Sequence, residues 1–213
     1  MTTQPSRRVG RPPATLNGQT VPERLVEVAL RLFAEKGFES TSVQDVVSAA
    51  GVTKGAMYHY FGSKDELLAE IYSRVLRLQM ERLETFVHLD APVDERIMGA
   101  AADVVVTTIE HLDSTTVFFR SLHQLSLDKQ EEVRRERRRY HEAFRGMVLE
   151  GQRSGILRED VDANLIVDYF FGSVHHLPMW WRADRGLDAP EVGRTFASLL
   201  LDGLRRPVQG HAG

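Results

Sequence analysis

Between Thr20 and Lys64 the chain carries four helix-start signals in close succession, and that rhythm constrains its fold more than any bulk property. Thr20 and Glu23 stand at capping-box spacing with Pro22 in the first turn, and Leu25, Val28, Ala29, Leu32 and Phe33 then keep the helical period up to Gly37. Ser42 and Asp45 repeat the box ahead of Val43, Val46, Val47 and Ala50, and Gly51 closes this short second helix. Thr53 caps a third helix over Lys54 to Phe61, and Ser63 with Glu66 opens a fourth that runs to about His88. Helices this short, joined by turns this tight, cannot form a coiled coil. They suit a compact three-helix unit of the helix-turn-helix type over residues 20–66.

The rest of the chain, residues 67–213, also reads as helical, so the expected class is all-α with about nine helices. Apolar periodicity places helices from Pro92 to about Asp113, Thr115 to Leu127, Asp128 to Ser154, Asp162 to about Ala183, and Pro190 to Arg206. The last two are apolar over more than one face, which a small domain cannot bury alone. A helical homodimer interface would cover them. Residues 1–19 lack apolar periodicity and read as a flexible basic arm.

Charge divides unevenly along the 213 residues. The first 64 carry a balance of +3 and the remainder −6, for the net −3 of the whole chain, so the front third is the part suited to phosphate. Without cysteine there are no disulfides, thiolate nucleophiles or Cys-ligated zinc, and a reducing cytoplasm is the expected setting. No stretch has the length and apolarity of a membrane span, so no membrane partner is expected.

A recognition helix needs a few apolar anchors and an opposite face free to reach base edges. Met57 and Phe61, four apart, supply the anchors, while Lys54, Tyr58 and His59 supply donors, with Tyr60 near the edge. Gly55 keeps the backbone low, and the helix starts at Ser42, Thr53 and Ser63 direct N–H groups outward, as phosphate contacts require. Core packing is the competing reading of Tyr58 and Tyr60, and a solvated helix start that of Lys64.

The run from Thr41 through Ala-Gly-Val-Thr, Tyr58-His-Tyr-Phe61 and Ser63-Lys-Asp-Glu-Leu-Leu68 resembles the signature of the TetR family of transcriptional regulators. That resemblance implies that Gln44, Lys54 and Gly55 face bases, that Tyr58 and Lys64 hold phosphates of double-stranded operator DNA, and that Tyr60 stands where His is more usual. In the arm, Gly10-Arg11-Pro12 looks like a minor-groove hook, with Arg11 the inserted side chain and a disordered tail the alternative.

The resemblance further implies a helical effector-binding domain dimerised through its last two helices, and no cofactor. The stretch from Tyr169 to Leu187, with its Trp180-Trp181-Arg182, looks like the branch that senses acyl-coenzyme A thioesters, although Met179 stands where Arg is expected. Phe118, Phe119, Met147, Tyr169, Phe170 and Trp180 are the candidate lining of an apolar pocket, with core or interface packing as the alternative. Arg134 to Arg139 reads as a solvated face laced with Glu131 to Arg135 pairing, or else as a holder of coenzyme A phosphates. Adjacent His175 and His176 point about 100° apart on a helix and suit no shared metal. Neither a Gly-x-Ser-x-Gly elbow nor a phosphate-binding Gly-rich loop is present to support an enzyme, and the acidic back domain argues against a non-specific nucleoid protein. The expected function is that of a dimeric repressor released from a palindromic operator by a small-molecule effector; activation is the alternative.

Overall fold

The computed structural model describes residues 15–16 and 18–205, which divide between Leu67 and Leu68 into two compact units. Arg11 and most of the arm lie outside the described residues. The part of the arm that is described departs from the expected irregular segment: Thr15–Leu16 (β1) and Gln19–Thr20 (β2) pair antiparallel, with Gly18 at φ +82° in the turn. A positive φ suits glycine, which has no Cβ to clash.

The first unit is built on α1 (Val21–Lys36), α2 (Val43–Ala50), α3 (Lys54–Tyr60) and the start of α4 (Lys64–Val87). Thr20 and Ser42 both form complete capping boxes, with Glu23 and Asp45 respectively. Gly51 enters the left-handed region at φ 64°, which ends α2, and the Thr53 hydroxyl then accepts from the Ala56 N–H to start α3. Leu25, Ala29, Val46, Ala50, Met57 and Leu67 are fully buried and form the common core. Thr41 ties α1 to α2, its hydroxyl donating to the Gly37 carbonyl at 2.8 Å.

The second unit comprises the rest of α4 with α5 (Val93–Glu110), α6 (Leu112–Ser121), α7 (Leu127–Arg153), α8 (Ala163–His175), the single turn α9 (Leu177–Trp180) and α10 (Ala189–Leu204). Helices α5 and α10 lie in close contact along their length. Their approach depends on Gly193, where an added Cβ would stand 2.7 Å from the Ala102 carbonyl oxygen. Ile97, Val105, Phe144, Phe171 and Leu201 lie in a continuous core cluster shared by α5, α7, α8 and α10. No helix among the described residues is long and apolar enough to cross a membrane.

Boundaries in the second unit differ from the periodicity reading, and α6, expected to reach Leu127, ends at Ser121 and gives way to a 3-10 turn over Leu122–Gln124. The helix expected over Pro92 to Asp113 stops at Glu110 and α6 starts at Leu112, three residues early. Hydroxyls here bond back into their own helices, Thr108 to the Val104 carbonyl and Thr116 to that of Leu112, a pattern that strains a long helix. The helix expected over Asp162 to Ala183 ends at His175. Pro178 explains the break: it has no N–H to give, and its ring crowds the carbonyl four residues back, at Val174.

Candidate nucleic-acid interface and effector cavity

In the first unit α3 is held from one side and open on the other. Met57 is fully buried and Phe61 is 8% exposed, whereas Lys54, Gly55, Tyr58, His59 and Tyr60 are exposed. Tyr58 at 53% and Tyr60 at 40% are too open to be core residues, and Tyr60 stands edge-on to His59 with centroids 4.8 Å apart. Gly55 has room for a methyl group, the nearest contact of an added Cβ being the Thr53 hydroxyl at 3.8 Å. Packing inside the protein therefore does not require glycine at this position, and the open surface beside it is where a partner backbone could approach closely.

On α2, Gln44 is exposed and donates to the Ser48 hydroxyl at 2.9 Å, a bond it can exchange for a base edge. Ser42 and Thr53 spend their hydroxyls on caps, so what they offer outward is the helix terminus. The Ser42 hydroxyl, and then its backbone N–H, hold the Asp45 carboxyl below the usual carboxylate range.

Lys64, for which the resemblance implies a phosphate contact, also has partners inside the unit. Its ammonium donates to the carbonyls of Phe38 at 2.7 Å and Thr41 at 3.0 Å, and lies 4.2 Å from the centre of the Phe38 ring. Two of its three donors are committed inside the unit, where they fasten the start of α4 to the turn between α1 and α2. Nothing in the helical period of α4 signals this, because the partners lie 26 and 23 residues away.

Within the second unit, α4, α5, α6, α7 and α8 enclose a chamber that holds a void of about 10 Å³, lined by Tyr72, Gln79, Thr108, Arg137, Tyr140, His141 and His175 among others. Tyr72 stacks on Phe118 at 3.9 Å and meets Phe119 edge-on, and Phe119 reaches His175 at 5.1 Å. These two phenylalanines therefore back the chamber at one remove. The other expected lining residues lie elsewhere. Met147 and Phe170 are buried in the core, with Phe170 stacked on Phe144. Trp180 stacks on Phe196 of α10, and Tyr169 is 69% exposed on the outer face of α8.

The polar character of the chamber is the part the sequence reading missed. Burial, followed by the nearby Arg137 charge, pulls the His141 imidazole down to about 4 and the His175 imidazole down to about 3. Burial pushes the Tyr72 phenol up to about 12, and pushes Tyr140 well above its ordinary value. The Tyr140 hydroxyl and His141 Nε2 are buried without a hydrogen-bond partner among the described residues, a state that costs about 1–3 kcal/mol for each group.

Arg137 and His141 also line a second cavity, an open cleft of about 290 Å³ between α7 and α8 that includes Arg134, Arg138, Arg145 and Asn164. The arginine run is thus largely the solvated face expected, with Arg137 turned partly inward. Glu131 approaches Arg134 at 3.9 Å and Arg138 at 3.8 Å in place of the expected Arg135. Arg134, Arg138, His141 and Arg145 recur at helical spacing, and that stripe was legible in the sequence.

A third surface is apolar. Leu165 and Tyr169 of α8 and Leu199 of α10 are each more than 60% exposed, and they flank a groove of about 400 Å³ with Ile166, Leu200 and Leu204. Tyr169 falls here because it shares a face with Leu165, four residues earlier, and not with the inward stripe of Ile166, Phe170 and Val174.

Comparison with known proteins agrees with both halves. Residues 25–71 match the profile of bacterial regulatory proteins of the tetR family, and residues 90–204 match the tetracyclin repressor-like C-terminal domain. The HTH-type transcriptional repressor KstR2 of Mycobacterium tuberculosis is 26% identical over 184 residues, which cover 85% of this chain and 92% of that protein. The crystal structure of PfmR, a TetR family regulator from Thermus thermophilus, aligns with a TM-score of 0.76 at 31% identity over 86% of this chain and all of that one. AibR, solved in complex with isovaleryl coenzyme A and operator DNA, shares the fold with a TM-score of 0.71 at 21% identity, over 85% of this chain and 98% of that one. Matched at both its reading head and its helical body, the chain belongs to the tetR family of bacterial transcriptional regulators.

Proposed function

We propose that the chain is a homodimeric repressor that reads a palindromic operator through α2 and α3 and is released from it by a small-molecule effector, an acyl-coenzyme A thioester. The observation that carries this reading is the continuity of α4. One end, at Lys64, is bonded to the turn ahead of α2, and further along the same helix Tyr72, Val75, Leu76 and Gln79 wall the chamber. A ligand that widens the chamber must move α4 or strain it, and a moved α4 pulls on the turn that sets α2. The switch then consists of a difference in ligand affinity between two conformations, and by linkage operator DNA weakens the ligand by the same factor.

At the DNA, Lys54, Tyr58, His59 and Tyr60 project from α3 toward bases and phosphates, Gln44 reads from α2, and Arg11 enters the adjacent minor groove. Ser42 and Thr53 present helix N-termini to the backbone, and Gly55 allows close approach. Lys64 acts by holding α4 to the α1–α2 turn, with one donor left for a phosphate. Two such heads fit a palindrome with half-sites about 34 Å apart or at a multiple of that spacing. The thioester assignment is supported by the arginine cleft and by the fold shared with AibR, which was solved with isovaleryl coenzyme A.

Fluorescence anisotropy at physiological salt, using DNA from upstream of the chain's own gene, tests the reading. Specific binding about a thousandfold tighter than to scrambled DNA is expected. Equal affinity for both DNAs would overturn the repressor reading, and unchanged operator affinity in saturating effector would overturn the switch.

A further inference from the structure

The open cleft and the closed chamber share two wall residues, Arg137 and His141, so the two spaces lie side by side with these side chains between them. The cleft is rich in positive charge: four guanidiniums, on Arg134, Arg137, Arg138 and Arg145, face it with only Glu142 and Asp168 to balance them. Arg134 donates to Gln130 at 3.0 Å and Arg145 to Glu142 at 3.2 Å. Glu131 sits beyond hydrogen-bond length from the exposed Arg134 and Arg138, and the buried Nε of Arg145 has no partner among the described residues, so each guanidinium keeps donors to spare. Guanidiniums held like this match phosphate oxygens. The chamber makes a different demand. Its Tyr140 hydroxyl is fully enclosed and without a partner among the described residues, and so is His141 Nε2. A saturated hydrocarbon entering this space would leave both atoms orphaned, whereas an oxygen on the acyl group would satisfy the phenol.

We propose that the effector is a thioester whose phosphorylated head group lies in the Arg134–Arg138–Arg145 cleft and whose acyl group passes Arg137 and His141 into the chamber, where a hydroxyl, keto or carboxylate oxygen accepts from Tyr140. This rests on the thioester reading above and sharpens it to oxygenated acyl groups. The chamber is nearly closed in this conformation, so entry must part the walls that α4 to α8 contribute.

The test is calorimetric titration of the full-length protein with coenzyme A and with pairs matched in chain length: butyryl- against 3-hydroxybutyryl-coenzyme A, and octanoyl- against 3-hydroxyoctanoyl-coenzyme A. In at least one pair the hydroxylated thioester should bind about tenfold more tightly, the scale of one hydrogen bond to an otherwise orphaned group. Tyr140→Phe removes an atom that has no partner among the described residues, so the variant should fold with an unchanged or raised Tm. It should also bring the paired affinities within about twofold of each other while leaving the saturated thioester's affinity in place. Arg134→Gln with Arg138→Gln should weaken every thioester and coenzyme A itself by about tenfold or more. Equal affinities within both pairs, survival of the preference in Tyr140→Phe, indifference to the arginine changes, or no thioester binding at all would each overturn the proposal. Operator affinity measured on the same samples separates the failures. Specific DNA binding without thioester binding sinks only the ligand assignment, and loss of DNA specificity sinks the repressor reading whatever the titration shows.

Discussion

His141 and His175 face each other across the chamber with ring centroids 6.0 Å apart, and each has a phenyl neighbour, Phe171 stacked on His141 and Phe119 against His175. Both imidazoles are kept neutral chiefly by burial and then by Arg137, with Asp168 opposing this at His141. In the unfolded chain they take up protons near their ordinary value of 6.5, while in the folded chain they resist until about 4 and about 3. Below pH 6.5 the unfolded state therefore binds more protons, so the stability these groups confer is complete above that pH and drains away as pH falls toward 4. Thermal melts between pH 7.5 and 4.5 should show Tm falling with pH, with a shallower fall in His175→Gln; parallel curves for the two proteins would contradict this. The sequence showed at this scale which residues stand on an outward face, as with Lys54 and Tyr58, because the helical period alone decides that. It could not show that Lys64 bonds Phe38 and Thr41, or that Tyr140 is buried without a partner among the described residues, because both depend on segments far away in the chain.

Among the helices, local chemistry was legible and interruption was not. The caps at Thr20, Ser42 and Thr53 and the stop at Gly51 could be placed from the sequence because each acts within four residues. The breaks at His111 and His176 were hidden under apolar patterns that continue through them, since periodicity reports a face and not the continuity of the backbone. Helix pairing was equally hidden: nothing local marks Gly193 as the point where α10 meets the backbone of α5. A methyl group there would lie 2.7 Å from the Ala102 carbonyl oxygen and 3.0 Å from Val106, and a backbone atom cannot rotate aside as a side chain can. Gly193→Ala should therefore force the two helices apart at a cost of about 1–3 kcal/mol, despite alanine's better helix propensity. In a domain of this size that corresponds to a Tm lower by roughly 2–12 °C. A melt showing an unchanged or raised Tm would mean that α5 and α10 are not in contact as described.

For the whole molecule, the apolar face of α8 and α10 decides whether one reading head can become two. Leu165, Tyr169 and Leu199 are exposed at 62%, 69% and 69%, a concentration of large apolar side chains that a soluble monomer rarely leaves open. A second copy of the same face would cover it, as two-fold symmetry requires of an isologous interface. The division of charge fits this arrangement: the basic front third is left for DNA, while the acidic remainder carries the pairing surface. Leu165→Glu with Leu199→Glu would place four carboxylates at the proposed interface, two from each copy, where burial without cationic partners is prohibitive. Neither residue belongs to the core cluster, so each protomer should keep its fold and its Tm. Sedimentation equilibrium should then report a mass near 24.1 kDa in place of about twice that. Operator affinity should fall by about a hundredfold or more, because the second head would no longer be delivered at the effective concentration that pairing provides. A double variant that remains dimeric would place the interface on another surface, and a monomer that binds the full palindrome undiminished would mean that pairing contributes nothing to operator recognition.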